Sequence, residues 1–537
     1  MKYAVLALAY SVFVPLAALH ASEPSAKPSI LIILVDDMGY ADTEPYGAEI
    51  KTPNLMALAQ SGLRFTQFHN SAKCAPTRAS LMTGLHPQQA GRDVNPQREK
   101  KQTRGADTES EEIGELDKQA VTIAEVLRPA GYATYLSGKW HLTGKPNAWA
   151  STTEADRSGW PCQRGFDRFF GFLGGTAKYF DPKNLVSDNT PVKSPPDAYI
   201  TDLLAEHAGN FITEHARNQA DKPFFMYLAF NAPHKQISAK DADVAAYKGV
   251  YDIGWDAVRE QRLAKQKELG VIPTDCVLSP RQEGVAAWSS LKPEQKTAYA
   301  QTMATYAGVI TSMDRGVGHV LAALESAKLR DNTLVIFLSD NGACAEGKDL
   351  MKAGGHGGHP TGSTGPGWAN VGNTPFRYWK NTTWQGGTST ELILNWPQGI
   401  AASKRGTITR EVGHVIDLMP TCVELAHATY PTTFKGNAIT PMEGRSLLPI
   451  LQGQSLDQRG LFWQYAAYDA ARSDSWKIIR KSGGDWELFD LSHDPSEIND
   501  QAKKHPEVVK DLSAKWQNWA ERVHAVTEGG KKGKRKN

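Results

Sequence analysis

The segment Cys74-Ala-Pro-Thr-Arg78 sets a thiol, a proline and a guanidinium at fixed offsets, followed by Ala79-Ser-Leu-Met-Thr-Gly84. In a chain of this composition, C-x-P-x-R arises by chance in roughly one or two sequences per hundred. Alone it fits a buried cysteine before a turn proline as well as a nucleophile. Two further spots carry clustered oxygen ligands. Asp36-Asp37 follows the apolar run Ser29–Val35, and Asp340-Asn341 follows Leu334–Leu338. Such pairs are also common turn residues. At the carboxyl ends of central strands, however, carboxylates point into the crevice where α/β proteins bind ligands. Two such ends converging on one crevice make a site for a hard cation.

The elements that must position these groups are legible as alternating patterns. Ser29-Ile-Leu-Ile-Ile-Leu-Val35 is a continuous β-branched and Leu run, which predicts a strand buried on both faces. Further strands are expected at Phe65–Phe68, Tyr132–Leu136, Phe224–Phe230 and Thr333–Leu338. Helices are expected near Pro53, with its Gly62 stop, and over 122–130, 199–216 and 292–327. Alternation of this kind predicts an α/β fold with a large, mostly parallel (mixed) sheet flanked by helices. Residues 239–293 are charged, hold no strand signal and are taken as a helical insertion. Gly354–Gly372 is a Gly-rich loop whose His356 and His359 are more simply loop filler than substrate contacts. After about residue 455, Gly460–Tyr465, Trp476–Arg480 and Trp486–Asp490 are short strands, and a helix runs from Pro506 to about Val523. These predict a small C-terminal antiparallel sheet with a packed helix.

The 537 residues are 40% hydrophobic and 22% charged, which suits a globular chain with a sizeable core. Lys+Arg 60 against Asp+Glu 58 gives a net charge of +2, too balanced for a dedicated nucleic-acid binder. Lys2, the apolar run 4–19 and the small-residue exit at Ala21 form a signal-peptide pattern, too short and proline-broken for a span. The expected organisation is therefore a signal peptide (1–21), a catalytic α/β domain (22–455, with the insertion near 239–293), a C-terminal α+β domain (456–525) and a basic disordered tail (526–537). A periplasmic or secreted protein follows, with no membrane span after cleavage. Of Cys74, Cys162, Cys276, Cys344 and Cys422, an odd set, at least one must lack an intramolecular partner; the last four could be bridged, free or mixed. The absence of CxxC argues against structural zinc.

With these motifs in order along one chain, the sequence resembles the formylglycine-dependent sulfatases of the alkaline-phosphatase superfamily, and among them bacterial arylsulfatases. The likeness rests on Cys74–Arg78, on Gly131-Tyr-Ala-Thr-Tyr-Leu-Ser-Gly-Lys-Trp-His141, on Arg164–Gly171, Tyr251–Trp255 and Trp368–Asn370, and on Trp486–Pro495. A P-loop at Gly138-Lys139 fails because the glycine spacing is wrong and Trp140 stands where Ser or Thr should be. The resemblance implies that Cys74 is oxidised by a formylglycine-generating enzyme, for which the Pro and Arg are the cue. One hydroxyl of the hydrated aldehyde would attack sulfur and form a covalent sulfate ester. Loss of the proton from the second would break the C–O bond, expel sulfate and restore the aldehyde. The implied metal set is Asp36, Asp37, Asp340 and Asn341 with residue 74 itself. Oxygen ligands without His or an unmodified thiol favour Ca2+, with Mg2+ second. The implied catalytic set adds Arg78, Lys139, His141, His234 and Lys380. In it Arg78 stabilises the nucleophile, Lys139 and Lys380 hold sulfate oxygens, and His141 serves the diol. His234, with Lys380, protonates the leaving oxygen.

The chain departs from the family pattern after Lys380. Gln385 stands before Gly386-Gly387 where Glu is usual, and Glu391 stands where Pro is expected. These departures bear on local backbone and substrate contacts. The expected substrate is a sulfate monoester, an aryl sulfate in vitro and a sulfated saccharide in nature. The rival readings are a phosphodiesterase or phosphonate monoester hydrolase of the same superfamily, and a non-catalytic sulfoglycan-binding relative.

Overall fold

The computed structural model describes residues 27–91, 115–143, 157–346 and 362–525. The signal-peptide pattern, the basic tail, His356 and His359 lie outside these residues. One large sheet is built from β1 (Ser29–Val35), β2 (Leu63–His69), β3 (Ala133–Lys139), β4 (Arg168–Phe172), β5 (Leu185–Ser187) and β6 (Thr190–Val192). It is completed by β7 (Phe224–Ala229), β8 (Thr333–Ser339), β9 (Ser389–Asn395), β10 (Thr407–Thr409) and β11 (Gly413–His414). The order is β10-β2-β9-β8-β1-β7-β3-β4-β5-β6, with β11 beside β2. Strands β8, β1, β7, β3 and β4 form a parallel centre, while β9 and β5 run antiparallel to their neighbours, so the sheet is mixed as expected.

β1 shows why the sheet has helices on both faces. Leu31, Ile33 and Val35 enter one apolar core and Ile30, Ile32 and Leu34 the other, all fully buried. Each such side chain contributes about 1.5–3 kcal/mol on leaving water. Helices Ile200–Asn218 and Pro293–Ser326 supply the first core; Cys74–Thr83, Ile123–Leu127 and Leu418–Leu425 supply the second. The 239–293 stretch holds helices Asp241–Ala245 and Gly254–Leu269 and no strand. It is tied into the first core by Trp255 and Trp288, and Arg262 donates to Asp42 (2.6 Å) and Glu49 (2.8 Å).

A separate antiparallel sheet runs Gly460–Tyr465, Tyr468–Ser473, Trp476–Lys481 and Glu487–Asp490. Helix Pro506–Arg522 covers one face through Leu512, Trp516 and Trp519. The other face, with Trp463 and Phe489, packs on Trp384. The sequence patterns miss strand Tyr468–Ser473, and they also miss β9 as a strand. Tyr-Asp-Ala-Ala-Arg-Ser has little β-branched content, and β9 begins with Ser389-Thr390-Glu391. Both become strands because their neighbours supply the ladder and the burial. Trp486 stands just before its expected strand.

Candidate active site

Register alone gathers most of the candidate residues. Leu34 pairs with Leu338 and Val35 with Ser339, so Asp36-Asp37 and Asp340-Asn341 leave the sheet side by side. Ala229 pairs with Leu34 on one side and Gly138 on the other, which brings Asn231–His234 and Lys139–His141 to the same edge. Gly138 has φ +125, and a Cβ there would stand 1.9 Å from the Ala229 carbonyl oxygen; only glycine permits this approach. The Asp36 N–H donates to Ala232 O (2.9 Å) and the Asp340 N–H to Val35 O (3.1 Å), which continues the ladder into the site. Asp37 takes a left-handed φ of 69, and its N–H donates to Asp340 Oδ1 at 3.2 Å.

Three cationic side chains close on three carboxylates. Arg78 Nη2 and Nε donate to Asp340 Oδ2 (2.7 and 3.0 Å), and Nη2 lies 3.8 Å from Asp36 Oδ1. Lys139 Nζ donates to Asp36 Oδ2 (2.7 Å), and Lys380 Nζ lies 2.9 Å from Asp37 Oδ2 and 2.8 Å from Oδ1. Asn341 Nδ2 donates to Asp37 Oδ1 (2.7 Å). All of these side chains are at most 1% exposed. His234 Nε2 is 3.6 Å from Asp37 Oδ2, while Nδ1 lies 2.6 Å from Lys235 O. A carbonyl only accepts, so Nδ1 carries a proton, and the second proton of the charged ring sits on Nε2, which faces the cluster. Cys74 opens the wholly buried helix Cys74–Thr83, and Arg78 lies on its face one turn on. The Cys74 thiol lies within electrostatic reach of Arg78, Lys139 and Lys380. His141, with a left-handed φ of 58, lies two residues past Lys139; a Cβ on Gly175 would stand 2.8 Å from its Nε2.

Burial pushes the Asp340 carboxyl up to about 7, with the neighbouring Asp36 charge adding to it against Arg78 and Lys139. Burial also acts to raise Asp36 and Asp37, yet both end below the usual carboxylate range. Lys139, His234 and Arg78 outweigh it at Asp36, and Lys380, His234 and Asn341 at Asp37. Burial alone would lower Lys380 and Lys139, but Asp37 and Asp36 respectively raise them, so both stay charged. The crowded negative charge is therefore stable only with positive charge in contact. Asp36, Asp37 and His234 place ligand atoms within 4.8 Å of one another. The buried Asp36 Oδ1 and Asn341 Oδ1 accept no hydrogen bond. Hard oxygen donors with unused lone pairs fit a divalent cation.

Several supporting residues have no sequence signal. Tyr227 sits in an apolar strand run, yet its hydroxyl accepts from Arg78 Nη1 at 3.2 Å. Ser339 Oγ accepts from the Met38 N–H (3.1 Å) and donates to Asn341 O (2.9 Å), tying the two acidic strand ends together. The departures after Lys380 also have local explanations. The Gln385 N–H donates to Glu497 Oε2 (2.8 Å), and Lys477, itself paired with Glu497 Oε1 (2.6 Å), reaches Gln385 Oε1 at 3.4 Å. Glu391 lies inside β9 and accepts from Thr43 Oγ1 at 2.6 Å.

An α/β sheet with a buried acidic strand-end cluster ringed by Arg and Lys, beside the helix that Cys74 opens, suits a cation-assisted reaction on an anionic group. Residues 28–428 match the Sulfatase family model, and residues 377–522 match the N-sulphoglucosamine sulphohydrolase C-terminal model. The chain is 34% identical to the arylsulfatase of Klebsiella aerogenes, over 80% of this chain and 93% of that one. It is 27% identical to the N-acetylgalactosamine-6-O-sulfatase of Bacteroides thetaiotaomicron, over 91% and 92%. Among solved structures, Ps i-CgsB in complex with k-i-k-neocarrahexaose superposes with a TM-score of 0.65 at 27% identity, over 92% and 93%. The chain belongs to the sulfatase family of the alkaline-phosphatase superfamily, and its activity is sulfuric ester hydrolysis.

Proposed function

We propose that this sulfatase works through a formylglycine made from Cys74 and a bound Ca2+, and that it removes sulfate from saccharides outside the cytoplasm. The observation that carries the reading is the single buried network in which Arg78, Lys139 and Lys380 each contact one of Asp340, Asp36 and Asp37. As formylglycine, residue 74 supplies a geminal diol: one hydroxyl is the nucleophile, and the other provides the proton whose loss expels sulfate. A divalent cation, Ca2+ first and Mg2+ second, would be held by Asp36, Asp37, Asp340, Asn341 and residue 74, and would supply Lewis-acid charge beside the sulfate group.

The chain's own groups do the rest. Lys139 and Lys380 carry ammoniums that neutralise the sulfate oxygens as charge develops. Arg78 holds Asp340 and keeps the nucleophile's surroundings positive. His234 has Nδ1 fixed on the Lys235 carbonyl, so Nε2 exchanges the proton that the leaving-group oxygen takes when the S–O bond breaks. His141 takes the diol proton. The burial of the cluster lowers the local dielectric, which strengthens charge contacts made there.

The domain boundaries expected from sequence and an export signal at 1–21 complete the proposal, with a formylglycine-generating enzyme as the maturation partner. Among the described residues no helix is long and apolar enough to cross a membrane. The 27% identical N-acetylgalactosamine-6-O-sulfatase of Bacteroides thetaiotaomicron, whose name gives a sulfated sugar as its substrate, supports the substrate class. A panel of sulfated mono- and oligosaccharides, 4-nitrophenyl sulfate, an aryl phosphodiester and an aryl phosphonate tests it. Sulfate release should dominate; faster phosphodiester or phosphonate turnover would reverse the reading.

A further inference from the structure

The three loops that carry reaction-centre residues each place a polar side chain one position away from that residue. Lys73 precedes Cys74, Lys235 follows His234, and Asn381 follows Lys380. Backbone bonds hold these loops together: the Asn381 N–H donates to Ala72 O (3.0 Å) and the Lys380 N–H to Ala343 O (3.1 Å). All three side chains then converge on one carboxylate outside the buried cluster. Lys235 Nζ is 2.8 Å from Glu346 Oε2, Lys73 Nζ is 3.5 Å from Oε1, and Asn381 Nδ2 donates to Oε1.

We propose that Lys73, Lys235 and Asn381 form an anion subsite beside the sulfate centre, that Glu346 fills it when substrate is absent, and that the preferred sulfate ester carries a second anion on its leaving group, a carboxylate or another sulfate. The inference rests on the sulfatase reading and deepens it by naming the leaving group. Among the described residues, two ammoniums, those of Lys73 and Lys235, face the Glu346 carboxylate. The three side chains are 17%, 22% and 32% exposed for Lys73, Lys235 and Glu346, so an incoming anion can exchange with the resident one. The Arg78–Asp340 pair, at 0% exposure on both sides, offers no such exchange. Asn381 Oδ1 is buried without a hydrogen-bond partner and gives an acceptor for a hydroxyl next to that anion. Lysine is a flexible point charge, suited to reading an anion without fixing its geometry.

The test compares kcat/KM for pairs of monosaccharide sulfates that differ only by a second sulfate or carboxylate, with 4-nitrophenyl sulfate run alongside. The wild type should prefer the doubly anionic member of a pair by about tenfold, the scale of one solvent-touching charge contact. Lys235→Met or Lys73→Met should erase most of that ratio through KM, and Lys235→Arg should retain it. Glu346→Gln removes the internal competitor and should raise the ratio severalfold. An unchanged ratio in all four variants, with 4-nitrophenyl sulfate still hydrolysed by the wild type, would overturn the subsite and leave the sulfatase reading standing. If the wild type, carrying the aldehyde at residue 74, cleaves no sulfate ester at all, both fall.

Discussion

Lys380→Met separates the role of an ammonium in catalysis from its role as a stand-in for a metal. Lys380 Nζ lies 2.8 Å from Asp37 Oδ1, and both side chains are about 1% exposed. At an effective dielectric near 20, that separation corresponds to about 6 kcal/mol of attraction. Leaving one member of a buried pair unmatched costs about 3–5 kcal/mol net. Metal-stripped Lys380→Met should therefore lose about that much stability against denaturant. Asp37 is also a proposed cation ligand, so Lys380 and the cation compete for one carboxylate. The variant should then bind Ca2+ more tightly, by tenfold or more in isothermal titration calorimetry, and should recover much of its stability when Ca2+ is added. Its kcat should fall by about 10²–10³, because a fixed charge facing the sulfate oxygens is gone. The metal-free loss, the tighter cation and the slower turnover come from one contact. A weaker Ca2+ affinity in the variant would refute the competition and remove Asp37 from the ligand set.

Other substitutions report on separate links. His234→Asn removes the group placed to protonate the leaving oxygen. Sugar sulfates, with poor leaving groups, should lose about 10²–10⁴ in kcat. 4-Nitrophenyl sulfate, whose phenolate leaves without a proton, should lose much less, and equal losses for both would contradict the assignment. Glu391 is held well above the usual carboxylate range by burial. Its folded-state proton is thus retained where the unfolded chain, with its carboxyl near pH 4.3, has released its own. Stability contributed by the protonated form is full below that pH and falls as pH rises. Glu391→Gln should accordingly be more stable than the wild type at pH 7–8, with the gain vanishing near pH 4 in urea titrations. A gain of the same size at both pH values would show that Glu391 is ionised in the fold.

The sequence exposes the site best where chemistry and local pattern coincide. Asp36-Asp37 stands out because six apolar residues, Ile30–Val35, run straight into it, and Cys74 because Pro76 and Arg78 share its offsets. What brings these pieces together is register, and register is long-range: Val35 opposite Ser339 is a pairing across 304 residues of chain that no window of sequence contains. Tyr227 and Ser339 stay hidden for the same reason. Each looks like ordinary strand filler until the residue it binds arrives from another element. Gln385 shows the converse. As a motif departure it bears on local backbone and substrate contacts, and in the fold its N–H binds Glu497 of the C-terminal segment, next to Lys477. β9 is missed because Glu391 is a poor strand residue, buried inside the sheet with the Thr43 hydroxyl as its hydrogen-bond donor.

The proposed chemistry depends on what residue 74 is when the enzyme works. Tandem mass spectrometry of the peptide spanning 74–78, from a preparation of measured specific activity, tests this directly. The predicted result is an aldehyde at residue 74 in a fraction that rises in proportion to turnover, with Cys74→Ala inactive and still able to bind Ca2+. A fully active preparation with an intact thiol at this position would contradict it.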